Sequence, residues 1–218
     1  YVKAPHESNA NAGDPANDAV RLNSDELGCR VVGEGGNRGF TQEARIAFAL
    51  GRGRINTDAL DNSGGVDLSD REVNLKILLG SAVRSGGMSE EERNRVLEDL
   101  TDSVASLVLA DNESQSLAVS LDELRTKDGL DDFRDVMSSL ERSGALDRAA
   151  EHLPTWEALC DRLEERGRSL TRPELSVLLA YAKMDLMSQV LRSGLPDDPA
   201  IEGYLRHYFP EAALQAAG

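Results

Sequence analysis

Two glycine-rich segments hold the residue types in this sequence that are best suited to bind a cofactor. The first, Gly33-Glu34-Gly35-Gly36-Asn37-Arg38-Gly39, follows the apolar pair Val31-Val32 and precedes a predicted helix. Glycine lets the backbone approach a bound group closely, and amides at a helix N-terminus suit phosphate or ribose. The segment fails the dinucleotide motif G-x-G-x-x-G by one residue, because Arg38 occupies the position of the third glycine. The alternative is a strand-to-helix turn that requires positive φ angles.

The second segment, Asn62-Ser63-Gly64-Gly65-Val66-Asp67-Leu68-Ser69, is predicted to be a loop before a helix that starts at Ser69. Ser69 and Glu72 have the spacing of a capping box, so a purely structural role for Ser69 is the alternative to a ligand role. The two roles are compatible, since the N-terminus of a helix also favours a bound carboxylate.

The elements around these segments follow a strand-helix-strand rhythm. The pattern predicts a strand at 30–32, a helix over 41–50 that ends at Gly51, and a second strand at 54–56. Ligands bind beyond the carboxyl ends of parallel strands, so both glycine-rich segments are expected to face one cleft.

The rest of the chain has helical patterning. Ser/Thr-x-x-Glu signals, which are typical of helix starts, occur at Ser69/Glu72, Ser89/Glu92, Ser120/Glu123 and Thr171/Glu174. After Thr171, apolar residues recur at helical spacing at Leu175, Leu178, Leu179, Ala182, Leu186 and Val190, and Gly194 and Pro196 end this pattern.

The distribution of glycine divides the chain. Residues 1–87 contain 13 of the 19 glycines, and residues 88–218 have helical patterning. We therefore predict an α/β part, with a partial Rossmann-like unit, followed by a mostly α-helical domain. The chain in total is predicted to be predominantly helical.

Charge and cysteine content exclude several classes of function. The chain has 24 Lys and Arg against 39 Asp and Glu, a net charge of -15, which disfavours nucleic-acid binding. Cys29 and Cys160 form no CxxC motif, and the three histidines, His6, His152 and His207, lack ligand spacing, so we predict no metal site. The longest apolar stretch, 175–182, is too short to span a bilayer. We expect a cytoplasmic protein without membrane association.

Several motifs in fixed order resemble the large bacterial NAD-specific glutamate dehydrogenases. The matching segments are Tyr1-Val2-Lys3-Ala4, 13–21, 33–37, 39–42, 53–58, 61–67, 69–74, 170–175, 178–183 and 195–199. The resemblance covers nearly the whole chain. It departs from the family at Arg38, where these enzymes usually have Leu, and at Gly64, where they often have Ala.

The resemblance implies that the parent protein oxidises glutamate to 2-oxoglutarate and ammonia and passes a hydride to NAD. It also implies that 1–87 are the end of the NAD-binding catalytic domain and that 88–218 are a helical C-terminal domain. Asn37 would line the coenzyme site beside Gly35 and Gly36, with Asn62 near the nicotinamide. Ser69, with Gly65, would hold the distal carboxylate of glutamate.

The resemblance also implies that parts of the active site lie elsewhere. The chain starts at Tyr1 without Met, as an excised fragment would. The catalytic lysine and aspartate of the family and its phosphate loop have no counterpart here, so we name no catalytic residue. Lys3, Lys76, Lys127 and Lys183 do not fill that role. The chain alone is expected to be inactive, and glutamate-dependent NADH formation by it would contradict this. The parent is expected to be a homo-oligomer.

The sequence is compatible with two other interpretations. An acidic helical interaction, assembly or regulatory module would explain residues 88–218, with the glycine segments being structural. Assembly that survives truncation of the parent after Ser89 would argue against it. A different Rossmann-type enzyme, such as a methyltransferase, shares the glycine-after-strand arrangement but not the later ordered motifs.

Overall fold

The chain is predominantly helical, as predicted. A computed structural model describes all residues from Tyr1 to Gly218. It contains eleven α-helices, namely α1 (Asn9–Ala12), α2 (Gln42–Leu50), α3 (Asp58–Asp61), α4 (Ser63–Arg84), α5 (Glu90–Asp99), α6 (Thr101–Arg125), α7 (Leu130–Arg142), α8 (Trp156–Arg166), α9 (Arg172–Arg192), α10 (Glu202–Tyr208) and α11 (Glu211–Ala217). None of these helices combines the length and the apolar character that crossing a bilayer requires.

The β-structure is limited to short parallel pairings. Strands β1 (Val2–Lys3) and β2 (Leu22–Asn23) pair in parallel, with Val2 opposite Leu22. The predicted strands at 30–32 and 54–56 are reduced to one parallel bridge between Val31 and Arg54. A partial Rossmann-like sheet is therefore not established by this fold, because a single bridge does not make a ladder.

The chain forms two compact units. The first comprises 1–62 and 115–188, and the second comprises 63–114 and 189–218, so that α6 and α9 contribute residues to both. These compact units do not test the predicted domain boundary between residues 87 and 88, which stays a prediction.

The first unit contains two apolar cores. The larger is built from α6, α7, α8 and the start of α9, and its fully buried members include Val119, Met137, Leu159 and Leu175. The smaller joins Phe48 and Ala49 of α2 to Ile55. Gly53 is required beside this smaller core, because an added Cβ would lie 2.2 Å from Cε1 of Phe48. The smaller core fixes the chain before and after the first glycine-rich segment.

The second unit has its own core, in which Leu75 of α4 packs with residues of α6 and with Ala213 of α11. Arg71 of α4 is buried and joins three elements of this unit. Its guanidinium pairs with Asp67 and Asp111 and donates to the backbone oxygen of Tyr208 at 2.7 Å. These contacts hold α4 in place by polar as well as apolar interactions.

Some of the helix starts predicted from Ser/Thr-x-x-Glu motifs are present in the structure, and others are not. The Ser89/Glu92 capping box is present at the start of α5, as predicted. Thr171 precedes α9, and its backbone N–H donates to the Glu174 carboxylate at 2.7 Å. Ser120 lies inside α6, where its hydroxyl donates to the Ser116 carbonyl, so the predicted helix start there is wrong. Residues three apart also share one face within a helix, and the motif alone does not distinguish the two situations.

Candidate functional site

The first glycine-rich segment lies between the strand bridge and α2. The Val32 N–H donates to the Arg54 carbonyl at 2.9 Å, and the Arg54 N–H donates to the Arg30 carbonyl at 2.8 Å. The predicted helix over 41–50 is confirmed, since the Thr41 hydroxyl accepts from the Ala44 N–H and α2 ends before Gly51. Residues 33–39 are consequently a short loop with both ends fixed.

A buried ion pair anchors this loop from beneath. Glu34 is 5% exposed, and Arg45 of α2 donates to both of its carboxylate oxygens, at 2.7 and 2.9 Å. The Glu34 N–H donates to the Asp61 carboxylate at 2.9 Å, and Asp61 also accepts from the Asn56 amide at 2.8 Å. The carboxylate of Glu34 is therefore committed to holding the loop rather than to binding a ligand.

Asp58 completes the charge balance of this anchor. It accepts from the Arg38 N–H at 2.9 Å and lies 3.1 Å from the Arg45 guanidinium. Burial alone would raise the pKa of the Asp58 carboxyl, but the Arg38 amide and the Arg45 charge lower it below its ordinary value. A depressed folded-state pKa stabilises the fold above the unfolded-state pKa, and that contribution is lost as pH falls through the folded-state value.

The glycines of the first glycine-rich segment do not adopt the left-handed backbone conformation that would by itself explain their presence. None of Gly33, Gly35 and Gly36 has a positive φ, and an added Cβ at any of them would meet no atom within 4 Å. The positive φ of the segment, 63°, belongs to Arg38, which stands where the dinucleotide motif has its third glycine. The turn therefore contains a positive φ, as the alternative requires, but not at these three glycines, and nothing within the chain crowds them.

The structure brings together the two asparagines that the sequence singled out. The Asn62 amide nitrogen lies 3.4 Å from the Asn37 side-chain oxygen. Asn37 is exposed, and Asn62 is half-buried in the short connection between α3 and α4. Two polar side chains from separate segments thus meet at the surface beside the glycine loop.

The prediction of a loop over residues 62–69 is wrong, because most of this segment is helical. Helix α4 begins at Ser63, so Gly65 lies in its first turn and Ser69 in its second. Ser69 is exposed, and its hydroxyl donates to the Gly65 carbonyl at 3.2 Å instead of capping a helix. The Ser69/Glu72 capping box is therefore wrong, and Glu72 pairs with Lys76 instead.

Tertiary contacts explain why the helix begins earlier than the sequence indicates. The Asn112 amide donates to the Ser63 hydroxyl at 2.9 Å, which ties the first residue of α4 to α6. An added Cβ at Gly64 would lie 3.4 Å from the Val108 side chain, so α4 and α6 approach closely there. Two adjacent glycines disfavour a helix intrinsically, but this packing overrides their propensity.

The position of Ser69 predicts the stability of its alanine variant. A helix-capping serine loses about 1 kcal/mol on replacement by alanine. A serine within a helix that bonds back to the preceding turn loses little, because alanine is the better helix former. We expect Ser69→Ala to change the free energy of unfolding by less than about 0.5 kcal/mol in urea titrations, while Ser89→Ala, at a genuine cap, loses about 1 kcal/mol.

Sequence reasoning missed a cluster that joins distant parts of the first unit. The Glu43 carboxylate of α2 accepts hydrogen bonds from two imidazoles, those of His6 at 2.6 Å and His152 at 3.0 Å. No local spacing relates these residues, so only the tertiary structure reveals their contact. Lys3 is engaged with the Glu7 carbonyl and with Asn23, which gives it a structural role.

Comparison with known proteins gives concordant matches along the chain. A family model described as the catalytic domain of bacterial NAD-glutamate dehydrogenase matches residues 1–122, and one described as the glutamate dehydrogenase C-terminal region matches residues 167–216. Three relatives named NAD-specific glutamate dehydrogenase come from different bacteria. The Halomonas elongata protein is 47% identical over 96% of this chain, that of Pseudomonas aeruginosa 46% over 100%, and that of Mycobacterium tuberculosis 44% over 97%.

The matched region is a small part of each relative. This chain spans 13% of the length of each of the three proteins. The catalytic-domain model alone covers more than half of the chain. Because this model matches more than half of the chain and the three relatives are 44–47% identical along nearly all of it, the chain belongs to the family of bacterial NAD-glutamate dehydrogenases.

Proposed function

We propose that these residues form part of an NAD-dependent glutamate dehydrogenase, which oxidises L-glutamate to 2-oxoglutarate and ammonia. Family membership supports this proposal, and the relatives are named as NAD-specific glutamate dehydrogenases. Because the chain spans 13% of those proteins, the activity belongs to a longer polypeptide whose other residues supply the proton-transfer groups. The role assigned to this chain is to bind and orient.

The contact between Asn37 and Asn62 is the observation that carries the coenzyme assignment. Their side chains, 3.4 Å apart, offer amide donors and acceptors at one point of the surface. Gly35 and Gly36 lie immediately before Asn37, and nothing in the chain occupies the space where a Cβ would be. This arrangement suits a ribose or carboxamide group that approaches the backbone closely. NAD, when bound, supplies the hydride acceptor.

Ser69 and Gly65 are proposed to bind the substrate. The Ser69 hydroxyl is exposed, and its present acceptor, the Gly65 carbonyl, lies 3.2 Å away. A hydroxyl can turn to donate to a carboxylate instead. The first turn of α4 contains no acidic residue, so the positive end of the helix dipole is not neutralised there by its own side chains. The exposed hydroxyl favours a carboxylate of glutamate as the partner of Ser69. The helix dipole, which acts within the first turn, favours that carboxylate beside Gly65.

The pairing at Val31 and Arg54 is proposed to be one edge of a larger parallel sheet in the parent protein. Its two backbone hydrogen bonds have the direction that parallel neighbours require. A homo-oligomeric parent is also proposed. The second half of α9 supports it, since Met184, Leu186 and Met187 are 50%, 61% and 59% exposed.

Kinetics of the full-length protein test the coenzyme assignment. Each amide hydrogen bond to the coenzyme contributes about 1 kcal/mol, so Asn62→Ala is expected to raise the KM for NAD by roughly fivefold. Asn37→Ala should have an effect of similar size. The measurement is glutamate-dependent NADH formation at saturating glutamate.

Asn94→Ala is the matched control, because Asn94 is an exposed asparagine on α5 outside both glycine-rich segments. It should leave the KM for NAD unchanged. If Asn37→Ala and Asn62→Ala behave like the control in an active enzyme, these asparagines do not bind the coenzyme. A full-length protein without glutamate-dependent NADH formation would refute the proposed function as a whole.

A further inference from the structure

An arginine-rich cavity lies within the first unit, at the end of α2. Its volume is about 400 Å³, within the range of small-molecule sites. Its walls come from residues 49–54, from Glu123 of α6, and from residues 165–172 between α8 and α9. The lining includes none of the asparagines or glycines proposed above to contact the coenzyme.

The charge of this cavity is opposite to that of the chain. Five arginines line it, namely Arg52, Arg54, Arg166, Arg168 and Arg172. Two glutamates, Glu123 and Glu165, are the acidic residues of the lining. The local balance is therefore five positive against two negative charges, in a chain with a net charge of -15. Such a concentration of like charges attracts counter-charge from solution.

One of the five arginines is already satisfied. Arg172 is 8% exposed, pairs with Glu123 at 3.4 Å, and donates to the Asn56 and Ser120 side chains at 2.9 Å. The carboxylate of Glu123 is thus engaged by the buried cation. It does not offset the remaining arginines.

The other four arginines make no side-chain hydrogen bond or ion pair within the chain. Arg166 lies in the last turn of α8, where a cation is favoured by the helix dipole. Arg52, Arg54 and Arg168 have no such structural role. Three unpaired guanidinium groups that line one cavity therefore lack an explanation within the chain.

Hydrogen bonds fix the backbone at two points of the cavity wall. Arg52 has a φ of 74°, and the following Gly53 donates its N–H to the Phe48 carbonyl at 2.9 Å. On the opposite wall, Thr171 is tied to the buried Glu174 by two hydrogen bonds of 2.7 Å. A site held in this way loses less entropy on binding than a flexible one.

The lining also indicates the class of ligand. Guanidinium groups bind phosphate and carboxylate through paired N–H donors. No aromatic side chain lines the cavity, so the lining offers no platform for stacking a nucleobase. We propose that this cavity is a binding site for a small multivalent oxyanion, which carries two or more phosphate or carboxylate groups.

Calorimetric titration of the 218-residue chain with pyrophosphate and, separately, with citrate, two anions of similar charge near neutral pH, tests this site. Both titrations are run at a constant ionic strength of about 0.15 M, because salt screens exposed charges. Arg54→Gln/Arg168→Gln removes two exposed, unpaired arginines of the lining. Arg142→Gln/Arg192→Gln makes the same change of charge at two exposed arginines outside it.

We expect one anion to bind per chain, with at least about a tenfold loss of affinity in the cavity variant and less than about threefold in the control. The anion that binds more tightly identifies phosphate or carboxylate as the natural group. Thermal melting followed by circular dichroism verifies that each variant is folded, and Arg168→Gln alone provides a milder second variant. A cooperatively folded wild type that binds neither anion, or equal losses in both double variants, would overturn the proposal.

Discussion

Replacing Arg45 with methionine is expected to lower the free energy of unfolding by about 3–5 kcal/mol. Arg45 is 7% exposed and Glu34 is 5% exposed, so the change leaves a buried carboxylate without its cation. Asp58 loses the same partner. Burial lowers the pKa of Arg45 but Glu34 and Asp58 raise it by more, so that the net shift is upward and the guanidinium stays charged. Urea titrations of wild type and variant measure the loss.

Two further variants separate the ion pair from the volume of the side chain. Arg142→Met, at an exposed arginine of α7, should change stability by less than about 0.5 kcal/mol. Glu34→Gln/Arg45→Met removes the stranded charge and should recover part of the loss, as coupled residues do. If Arg45→Met alone costs less than about 1 kcal/mol, the pair behaves as a solvent-exposed one and does not anchor the glycine loop.

Leu175→Ala is expected to destabilise the chain by about 2–5 kcal/mol. Leu175 is 1% exposed in the larger core of the first unit, which cannot collapse fully around the missing side chain. The same urea titration, followed by helical circular dichroism, reports the change. The range reflects how far the surrounding leucines relax into the space.

Leu186→Ala is the control, because both leucines belong to the apolar pattern that the sequence shows along α9. Leu186 is 61% exposed, and we expect a change of less than about 0.5 kcal/mol. Equal losses at the two positions would mean that the second half of α9 is covered in solution, and a concentration-dependent midpoint would then identify association between chains.

The helices were the most predictable part of the fold. The start of α2 after Thr41 and its end before Gly51 were predicted correctly, because helix capping is a local signal that depends on no distant residue. The periodic face of α9 was correct as a helix but not as a measure of burial. Leu178 is buried and Leu186 is exposed on the same pattern, since burial depends on what the helix packs against.

The parts that could not be predicted depend on distant residues. The early start of α4 depends on Asn112, which meets Ser63 from α6. The predicted strands at 30–32 and 54–56 form only one parallel bridge with each other. A strand prediction from sequence does not say which partner strands are present to extend the pairing into a ladder. The strand-edge argument placed the two glycine-rich segments near each other, but it did not predict the contact between Asn37 and Asn62, and the segment after Asn62 is a helix and not the expected loop.

Ser69→Ala in the full-length protein tests whether this chain supplies substrate-binding groups to a glutamate dehydrogenase, as we propose. The exposed position of Ser69 inside α4 makes the variant structurally mild. A hydrogen bond to a charged carboxylate contributes about 1.5–3 kcal/mol, so the KM for glutamate should rise by roughly ten- to a hundredfold. The KM for NAD and the melting temperature should stay at wild-type values. An active enzyme whose KM for glutamate is unchanged by Ser69→Ala would show that Ser69 does not bind the substrate.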